Sequence, residues 1–451
     1  MADLLNDQEL AFVMDAMWAM RAAEQPTLEK YHSYWRGTQS LPACIPNGVP
    51  NEVRNMAAMS RINVCRLVIS VPAQSLFVDG YRAEGESENL EQWDAWRANR
   101  KNAGQSATWR STFAYGASYD LVLKGDPYPV IRGLSPRKLT VAYGADPNWP
   151  VYALEATDQL GAEWKLYDET RVYTLTEGKN ADGDRVATLV SDGVAEHGMG
   201  VCPVVRYRNV PDLDDESTSE LVDIIALQDQ LDFTTFDMLV AQHYAAFRQR
   251  YVIGWTTDDE NAKAKGAASR LWTFDGGDGD PDAVRVGEFE QTDLSGYLKS
   301  REATFEHLGV LSQVPPHNLV GQMVNLSAEA LVAAESSSRR KINELETSLG
   351  ESTEQLFELI SIGMGLEPPE SPEVRWRDTE ARSFAATVDA LGKLSSLLAV
   401  PPRALWERIP DITEEELARW TSIAEEGGEL DTLLRELVSG QTSAPAEPAV
   451  T

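Results

Sequence analysis

The sequence predicts an α+β protein in which helical and strand regions occupy separate stretches of the chain. Residues 1–115 carry helical apolar spacing, residues 116–210 carry short β-prone runs, and most of the remainder returns to helical spacing. Such segregation is typical of α+β architectures rather than of alternating β-α-β units. With 451 residues, 43% of them hydrophobic, the chain can bury at least one sizeable core.

The N-terminal stretch, residues 1–35, predicts a helix. Asn6 followed by Glu9 matches a capping box. We expect one apolar face to be buried, made of Leu10, Phe12, Val13, Met17 and Met20. Further helices are predicted over about 51–75 and around two aromatic clusters, Trp93 with Trp96 and Trp109 with Phe113 and Tyr115.

Residues 116–210 predict a mostly antiparallel β region. Short β-branched or aromatic runs alternate there with turn residues such as Gly125-Asp126 and Asp182-Gly183. The predicted strands are 119–124, 129–132, 139–143, 152–156, 163–167, 171–175, 186–190 and 203–207.

A long helix is predicted from Ser217, which forms a second capping-box pattern with Glu220, to about residue 247. Its apolar residues have the 3-4 spacing of a coiled-coil seam: Ile224, Leu227, Leu231, Thr234, Met238, Ala241 and Ala245. The seam fits a helix that packs on a partner helix and on a neighbouring subunit, and a helix buried inside one monomer is the alternative. A polar flank favours exposure: Gln228, Asp229, Gln230, Asp232 and Asp237.

The C-terminal half continues with a small β-rich insert over 249–292 and a second helix over about 293–311. Pro315-Pro316 must end that helix, and Ser327 is a plausible N-cap for another long helix to about 362. A strand at 373–377, an acidic helical region over 380–438 and a disordered tail complete the chain.

The sequence carries none of the common motifs for catalysis, nucleotide binding or metal binding. The chain has no Walker loop, no G-x-G-x-x-G, no H-E-x-x-H and no G-x-S-x-G. Three scattered cysteines and five dispersed histidines predict neither a disulfide framework nor a zinc site. Asp278, Asp280 and Asp282 lack the glycine and glutamate of a calcium loop. We therefore expect no enzymatic activity, no cofactor and no metal.

Net charge and hydropathy limit the classes of partner that the protein can bind. The net charge of −31 argues against a surface that grips DNA, since duplex binders neutralise phosphates with basic residues. Either the charge serves solubility or it lines a surface that DNA must pass without sticking. No signal peptide and no span of about 20 apolar residues is visible, so we expect a soluble protein made in a cytosol.

The order of parts resembles the portal proteins of tailed bacteriophages, particularly those of siphophages with Gram-positive and actinobacterial hosts. Nearly the whole chain is covered. The stretches that carry the resemblance are 34–37 (YWRG), 63–68 (NVCRLV), 77–81 (FVDGY), 114–119 (AYGASY), 133–136 (GLSP) and 202–207 (CPVVRY). Each stretch is degenerate alone, whereas their order and spacing are fairly specific.

The resemblance implies a portal-type fold with an α/β wing, a long helical stem, a small β-rich clip, a tunnel helix and a helical crown. The implied segments are wing 1–213, stem helix 214–248, clip 249–292, second stem helix 293–312, tunnel loop 313–326, tunnel helix 327–362, wing return 363–383, crown 384–440 and tail 441–451. The stem seam would be carried by Ile224, Leu227, Leu231 and Met238.

Three sets of candidate site residues follow from these assignments. Neutral hydrogen-bonding groups of the tunnel loop would face DNA, with an ordinary surface turn as the alternative: His317, Asn318, Gln322 and Asn325. The tunnel helix would line the channel through Glu335, Arg339, Arg340, Lys341 and Glu344. The clip would contact partners, or pack its own core, through Trp255, Trp272 and Phe274.

The implied function is that of a structural ring subunit at one capsid vertex, a conduit for genome packaging and ejection. The implied partners are other copies of the chain, twelve in this family, double-stranded DNA read without sequence specificity, the terminase motor, the head–tail adaptor, and the capsid and scaffolding proteins. We expect the protein in the virion, and in the host cytoplasm during assembly. A monomeric coiled-coil scaffold and a hydrolase without a recognisable motif are the alternatives.

Overall fold

The computed structural model describes most of the chain. The described residues are 4–40, 51–83, 89–157, 163–180, 182–214, 217–246, 250–253, 271–274, 285–288, 293–315, 318–319, 328–369, 371–377, 384–406, 409, 412, 416–417 and 419–424. They fall into two compact units, Met1–Trp376 and Arg377–Thr451. The first unit combines helices with four sheets, so the α+β class is confirmed.

Five helices precede the main β region. They are α1 (Asp7–Arg36), α2 (Asn51–Met59), α3 (Val64–Ser75), α4 (Gln92–Ala98) and α5 (Lys101–Tyr115). The predicted capping box of α1 is confirmed, because Asn6 and Glu9 each accept the other's backbone N–H. The single helix expected over 51–75 is divided, since the Asn63 side chain caps the Arg66 N–H and starts α3 afresh.

One face of α1 differs from the prediction. Its buried residues are Leu10, Val13, Met14, Met17, Trp18 and Leu28. Phe12 and Met20, which were expected in that face, lie on the opposite side in solvent. The helical periodicity of 3.6 residues places Met14 and Trp18 on the same side of the helix as Leu10. The predicted apolar face did not include these two residues.

The strands before residue 209, together with one strand near residue 374, fall into three sheets. β4 (Leu139–Tyr143), β5 (Pro150–Ala156), β6 (Glu163–Tyr167), β7 (Arg171–Lys179) and β8 (Arg185–Glu196) form an antiparallel sheet in chain order. β2 (Ala117–Leu123) lies between β3 (Val130–Leu134) and β9 (Val204–Arg208). β1 (Val78–Ala83), which was not predicted, pairs antiparallel with β13 (Pro372–Trp376), almost three hundred residues away in the chain.

Five helices with assigned bounds and a small sheet follow β9 in the described part of the chain. The helices are α6 (Ile224–Ala246), α7 (Ser295–Ser312), α8 (Ala328–Met364) and, in the second unit, α9 (Phe384–Leu398) with the short α10 (Arg403–Trp406). Between α6 and α7, β10 (Arg250–Ile253) pairs in parallel with β11 (Leu271–Phe274) and antiparallel with β12 (Arg285–Glu288). Among the described residues, none of the helices is both long and apolar enough to cross a membrane.

The largest core joins the helices to the C-terminal half of α8. Phe357 of α8 stacks on Tyr81 with ring centroids 3.9 Å apart and contacts Trp96 at 5.6 Å. A second core lies between α1 and the five-stranded sheet, where Trp18 meets Trp164 edge to face. The C-terminal end of α8 is therefore fixed inside the body, whereas its N-terminal part lies near α6 and α7.

Candidate functional site

The candidate site is the set of long helices α6, α7 and α8 and the short turns that join them to the body. The first of these helices, α6, begins at Ile224 and not at Ser217. Residues 217–223 form a turn, in which Ser219 donates to the Ala114 carbonyl and accepts from the Leu221 N–H. The predicted capping box of Ser217 with Glu220 is wrong, because the helix begins seven residues after Ser217 and the Glu220 carboxylate accepts from Lys341 instead.

That turn is packed tightly on the body. Gly116, which ends α5, has a φ of +90°, and a Cβ there would lie 2.6 Å from the Ser217 carbonyl oxygen. The backbone N–H of Glu220 donates to the Phe113 carbonyl at 3.0 Å. The chain therefore leaves the body toward α6 at a position fixed by backbone contacts with α5.

The seam of α6 is buried within the subunit over its first turns. Ile224 and Leu231 are fully buried, Leu227 packs against the same core, and Met238 is half-buried. This arrangement matches the alternative of a helix buried in one monomer for the N-terminal part of α6. The helix also packs on α7.

Gln228 and Asp232 contradict the expected exposed flank, because both side chains are buried. The Gln228 carbonyl oxygen accepts from the Val64 N–H at 3.0 Å, and its amide donates to the Ile62 carbonyl at 2.7 Å. It thereby adds a second partner to the Val64 N–H and to the Ile62 carbonyl, which also bond to each other at 2.8 Å. These two residues of the flank join α6 to the body, while Asp229 and Gln230 are exposed as expected.

Asp232 is a buried carboxylate held only by neutral donors in its described contacts. It accepts from the Ile62 N–H at 3.2 Å and from the side-chain amides of Gln228 at 2.8 Å and Gln39 at 3.1 Å. Burial raises the pKa of Asp232, and the neighbouring Asp229 carboxylate raises it further. The hydrogen bonds oppose that shift without cancelling it.

Lys341 of α8 is the centre of a second polar junction. Its ammonium donates to the Glu220 carboxylate at 2.5 Å and to the Ser312 carbonyl at 3.1 Å. Asn209, at the end of β9, donates to the other Glu220 oxygen at 3.2 Å. The Lys341 and Glu220 side chains are 12% and 8% exposed. The ammonium also sits at the C-terminal carbonyls of α7, where a helix favours positive charge.

Ser312 makes two hydrogen bonds at the C-terminal end of α7, where the predicted tunnel loop begins. Its hydroxyl donates to the Leu308 carbonyl at 2.6 Å and accepts from the Val314 N–H at 3.3 Å. Gln313 ends α7 with a φ of +56°, in the left-handed region. The DNA-facing candidate Asn318 is exposed, while Leu319 packs against the main core. His317, Gln322 and Asn325 lie outside the described residues.

The remaining channel candidates lie on the more exposed part of α8. Arg339, Arg340 and Glu344 are exposed and Glu335 is half-buried, whereas Lys341 uses its charge inside the subunit. From Leu345 onward the helix is increasingly buried, through Leu349, Leu356, Phe357 and Ile360. One helix thus carries a surface half and a core half.

For two of the three predicted clip residues, the structure gives the position in the backbone. Trp272 and Phe274 lie in β11, opposite Tyr251 and Ile253 of β10. Trp255 lies outside the described residues. The small sheet exists where the sequence predicted a β insert.

A cleft of about 580 Å³ lies between β9 and the outer side of α8. Arg206 and Arg208 line one wall, and Glu351, Glu354 and Glu358 line the other. Burial raises the pKa of Glu354, and the adjacent Glu351 carboxylate adds to the rise. Among the described residues, no group of three or more His, Cys, Asp or Glu side chains could hold a metal ion.

Sequence reasoning missed Glu220, Gln228 and Asp232 as junction residues. Glu220 and Lys341 are 121 positions apart in the chain, so local residue spacing gives no signal that they pair. A signal did exist for Gln228 and Asp232. They are four residues apart, so both fall on one side of a helix whose apolar seam was already visible.

The family model described as phage portal protein, SPP1 Gp6-like, matches residues 15–429. No curated protein matches the chain.

Solved structures with a similar chain come from gene transfer agent (GTA) particles. A chain of the virion of a native GTA particle has 12% identity and a TM-score of 0.47, and the match covers 85% of this chain and 99% of that one. A chain of the neck of a native GTA particle computed with C12 symmetry has 12% identity, TM-score 0.48 and coverage of 82% and 95%. A chain of the neck of an empty GTA particle computed with C6 symmetry has 12% identity and a TM-score of 0.44, and the match covers 79% of this chain and 95% of that one.

The Lys341 junction predicts a local change on substitution. Lys341→Met leaves the Glu220 carboxylate buried without its ammonium, a loss of about 3 kcal/mol for a buried pair. We expect amide hydrogen exchange at the end of α7 and around residue 341 to accelerate about a hundredfold. Arg340→Met, a neighbouring exposed cation, is the matched control and should exchange like the parent. Equal exchange in both variants would contradict the junction.

Asp232 predicts a pH dependence of stability. Its folded pKa is raised above the ordinary value of 3.8, so the folded state binds the proton more tightly than the unfolded state. The free energy of unfolding should therefore fall as pH rises through the raised pKa. Asp232→Asn should remove this part of the pH dependence and increase the unfolding midpoint at pH 7, because the amide needs no ionisation. Denaturant unfolding at several pH values measures both effects, and a lower midpoint for the variant at pH 7 would refute the assignment.

Proposed function

Because the chain belongs to the SPP1 Gp6-like family of phage portal proteins, we propose that it is a subunit of a closed ring through which double-stranded DNA enters and leaves a capsid. The observation that carries the proposal is the family match, which extends over residues 15–429 of 451. The ring stands at one vertex of the virion and is built in the host cytoplasm. The chain is a structural protein of that particle.

The parts of the ring follow the assigned segments, with one adjustment. Residues 1–213 with 363–383 form the wing, 249–292 the clip, and 384–440 the crown. The stem consists of 214–248 and 293–312, but its first helix starts at Ile224. Residues 217–223 are then the turn by which the stem leaves the wing.

Channel electrostatics are proposed to keep DNA contacts weak. On the surface part of α8, Glu335 and Glu344 alternate with Arg339 and Arg340 along the helix. Repeated around a ring, such alternation leaves neither a strongly attractive nor a strongly repulsive belt. The net charge of −31 for the whole chain makes tight phosphate binding still less favourable. The neutral tunnel-loop groups His317, Asn318, Gln322 and Asn325 would give sequence-blind contacts.

The energy for DNA movement is assigned to a separate motor. The sequence offers no phosphate-binding loop, so an ATP-hydrolysing terminase must drive packaging while the ring guides the duplex. The clip, with Trp255, Trp272 and Phe274, is the proposed contact for that motor and later for the head–tail adaptor. The capsid and scaffolding proteins would contact the outer wing.

The ring itself is tested by native mass. A closed ring of the family's size should have a mass of about twelve times 49.8 kDa. Negative-stain images viewed along the axis should show an annulus with a central hole. A purified protein that stays at 49.8 kDa, with no annulus alone or in particles, would refute the proposal and favour a monomeric scaffold.

The channel charges give a second prediction. The double variant Glu335→Lys, Glu344→Lys turns the alternating belt into a basic one, so phosphates should be held more tightly. We expect unchanged ring assembly, slower DNA packaging, and a delay that shrinks as salt concentration rises. The matched control Glu335→Gln, Glu344→Gln should package nearly as fast as the parent. Identical packaging rates for the Lys and Gln variants would show that these residues do not face the DNA.

A further inference from the structure

The outer face of α1 is apolar although it faces solvent. Phe12 is 76% exposed and Met20 is 38% exposed. The other exposed positions between them and just beyond are mainly alanines: Ala11, Ala16, Ala19, Ala22 and Ala23. Asp15 is the single charged residue between positions 11 and 20. A surface helix normally presents charged or polar residues on this side.

The opposite face of the same helix segment is already used. Leu10, Val13, Met14, Met17 and Trp18 pack on the five-stranded sheet. This segment is therefore apolar on both sides, which is the pattern of a helix enclosed between two layers. From Phe12 to Ala23 the outer stripe is about 16 Å long, and its small residues allow another backbone to approach closely.

The chemistry of the stripe favours a permanent protein partner. It carries no Lys or Arg between positions 11 and 20, so it offers nothing to phosphates. An apolar stripe covered only during brief docking would be exposed for much of the protein's life. Obligate interfaces between subunits are more apolar than transient ones. A partner that is present from assembly onward fits these requirements best.

A head-to-tail ring also needs two different surfaces on each subunit. The edge strand of the same sheet, β8, offers a second surface of suitable kind. Leu189 and Val190 are exposed there, one on each face of the strand, within the uncharged run 186–191. Uncharged edge strands tend to be covered by another chain.

We propose that the outer face of α1 is a subunit–subunit contact, covered in the assembled protein by a second copy of this chain. The inference rests on the proposed ring and names one of its contact surfaces. Phe12 is the central apolar contact, Met20 extends it, and Ala16 and Ala19 set the close approach.

Substitution of the stripe tests its contribution to assembly. Phe12→Asp combined with Met20→Glu should raise the protein concentration needed for ring formation at least tenfold, as measured by native mass over a dilution series. Phe12→Leu is the matched control and should assemble like the parent. Both positions are solvent-exposed in the single chain, so circular dichroism should show the same helix content in all three proteins. Parent-like assembly of the acidic variant would overturn the inference.

Crosslinking identifies the partner. A photo-crosslinking amino acid at Ala19 should give, in purified rings and in particles, a product of twice the subunit mass whose second peptide comes from the same sequence. A product of single-subunit mass, or one joined only to a different particle protein, would overturn the proposal. If the parent forms no ring at all, the proposed function fails as well. A parent ring with an unaffected acidic variant leaves the function standing and rejects only this interface.

Discussion

The structure depends on how three long helices are fixed to the body by buried polar groups. Apolar packing alone holds a helix without setting its position along its own axis, whereas a hydrogen bond or ion pair does set it. Gln228 fixes α6 to the start of α3, and Lys341 fixes α8 to both the turn before α6 and the end of α7. Each of these groups would be costly to leave buried and unpaired, so each position is strongly preferred.

This arrangement explains why α8 can serve two purposes. Its C-terminal half is part of the main core, where Phe357 lies among aromatic rings. Its more exposed part carries both acidic and basic side chains, and Lys341 lies four residues before the buried Leu345. The core half gives the helix a fixed base, and the surface half is available to a channel. A change at Lys341 would therefore affect the tunnel-loop base and the stem together.

Sequence patterns predicted the locally determined parts of the fold. β4 and β6 were predicted at their observed bounds because alternating side chains and nearby turn residues define them. The Asn6 cap was predicted because both of its partners lie within three residues. The first turn of α6 was mispredicted because Ser219 and Glu220 bind residues more than 100 positions away. β1 was missed because its pairing partner is β13, and Phe12 was misplaced because the apolar pattern of α1 extends around the helix.

The most direct measurement is a side-chain-resolution cryo-electron microscopy map of the purified ring. Our account predicts that the Lys341 ammonium stays within hydrogen-bonding distance of Glu220 and the Ser312 carbonyl in every subunit, while Arg340 and Glu344 point into the lumen. A map in which Lys341 turns into the channel and Glu220 finds another partner would contradict it. So would a ring in which α8 lies away from the central hole.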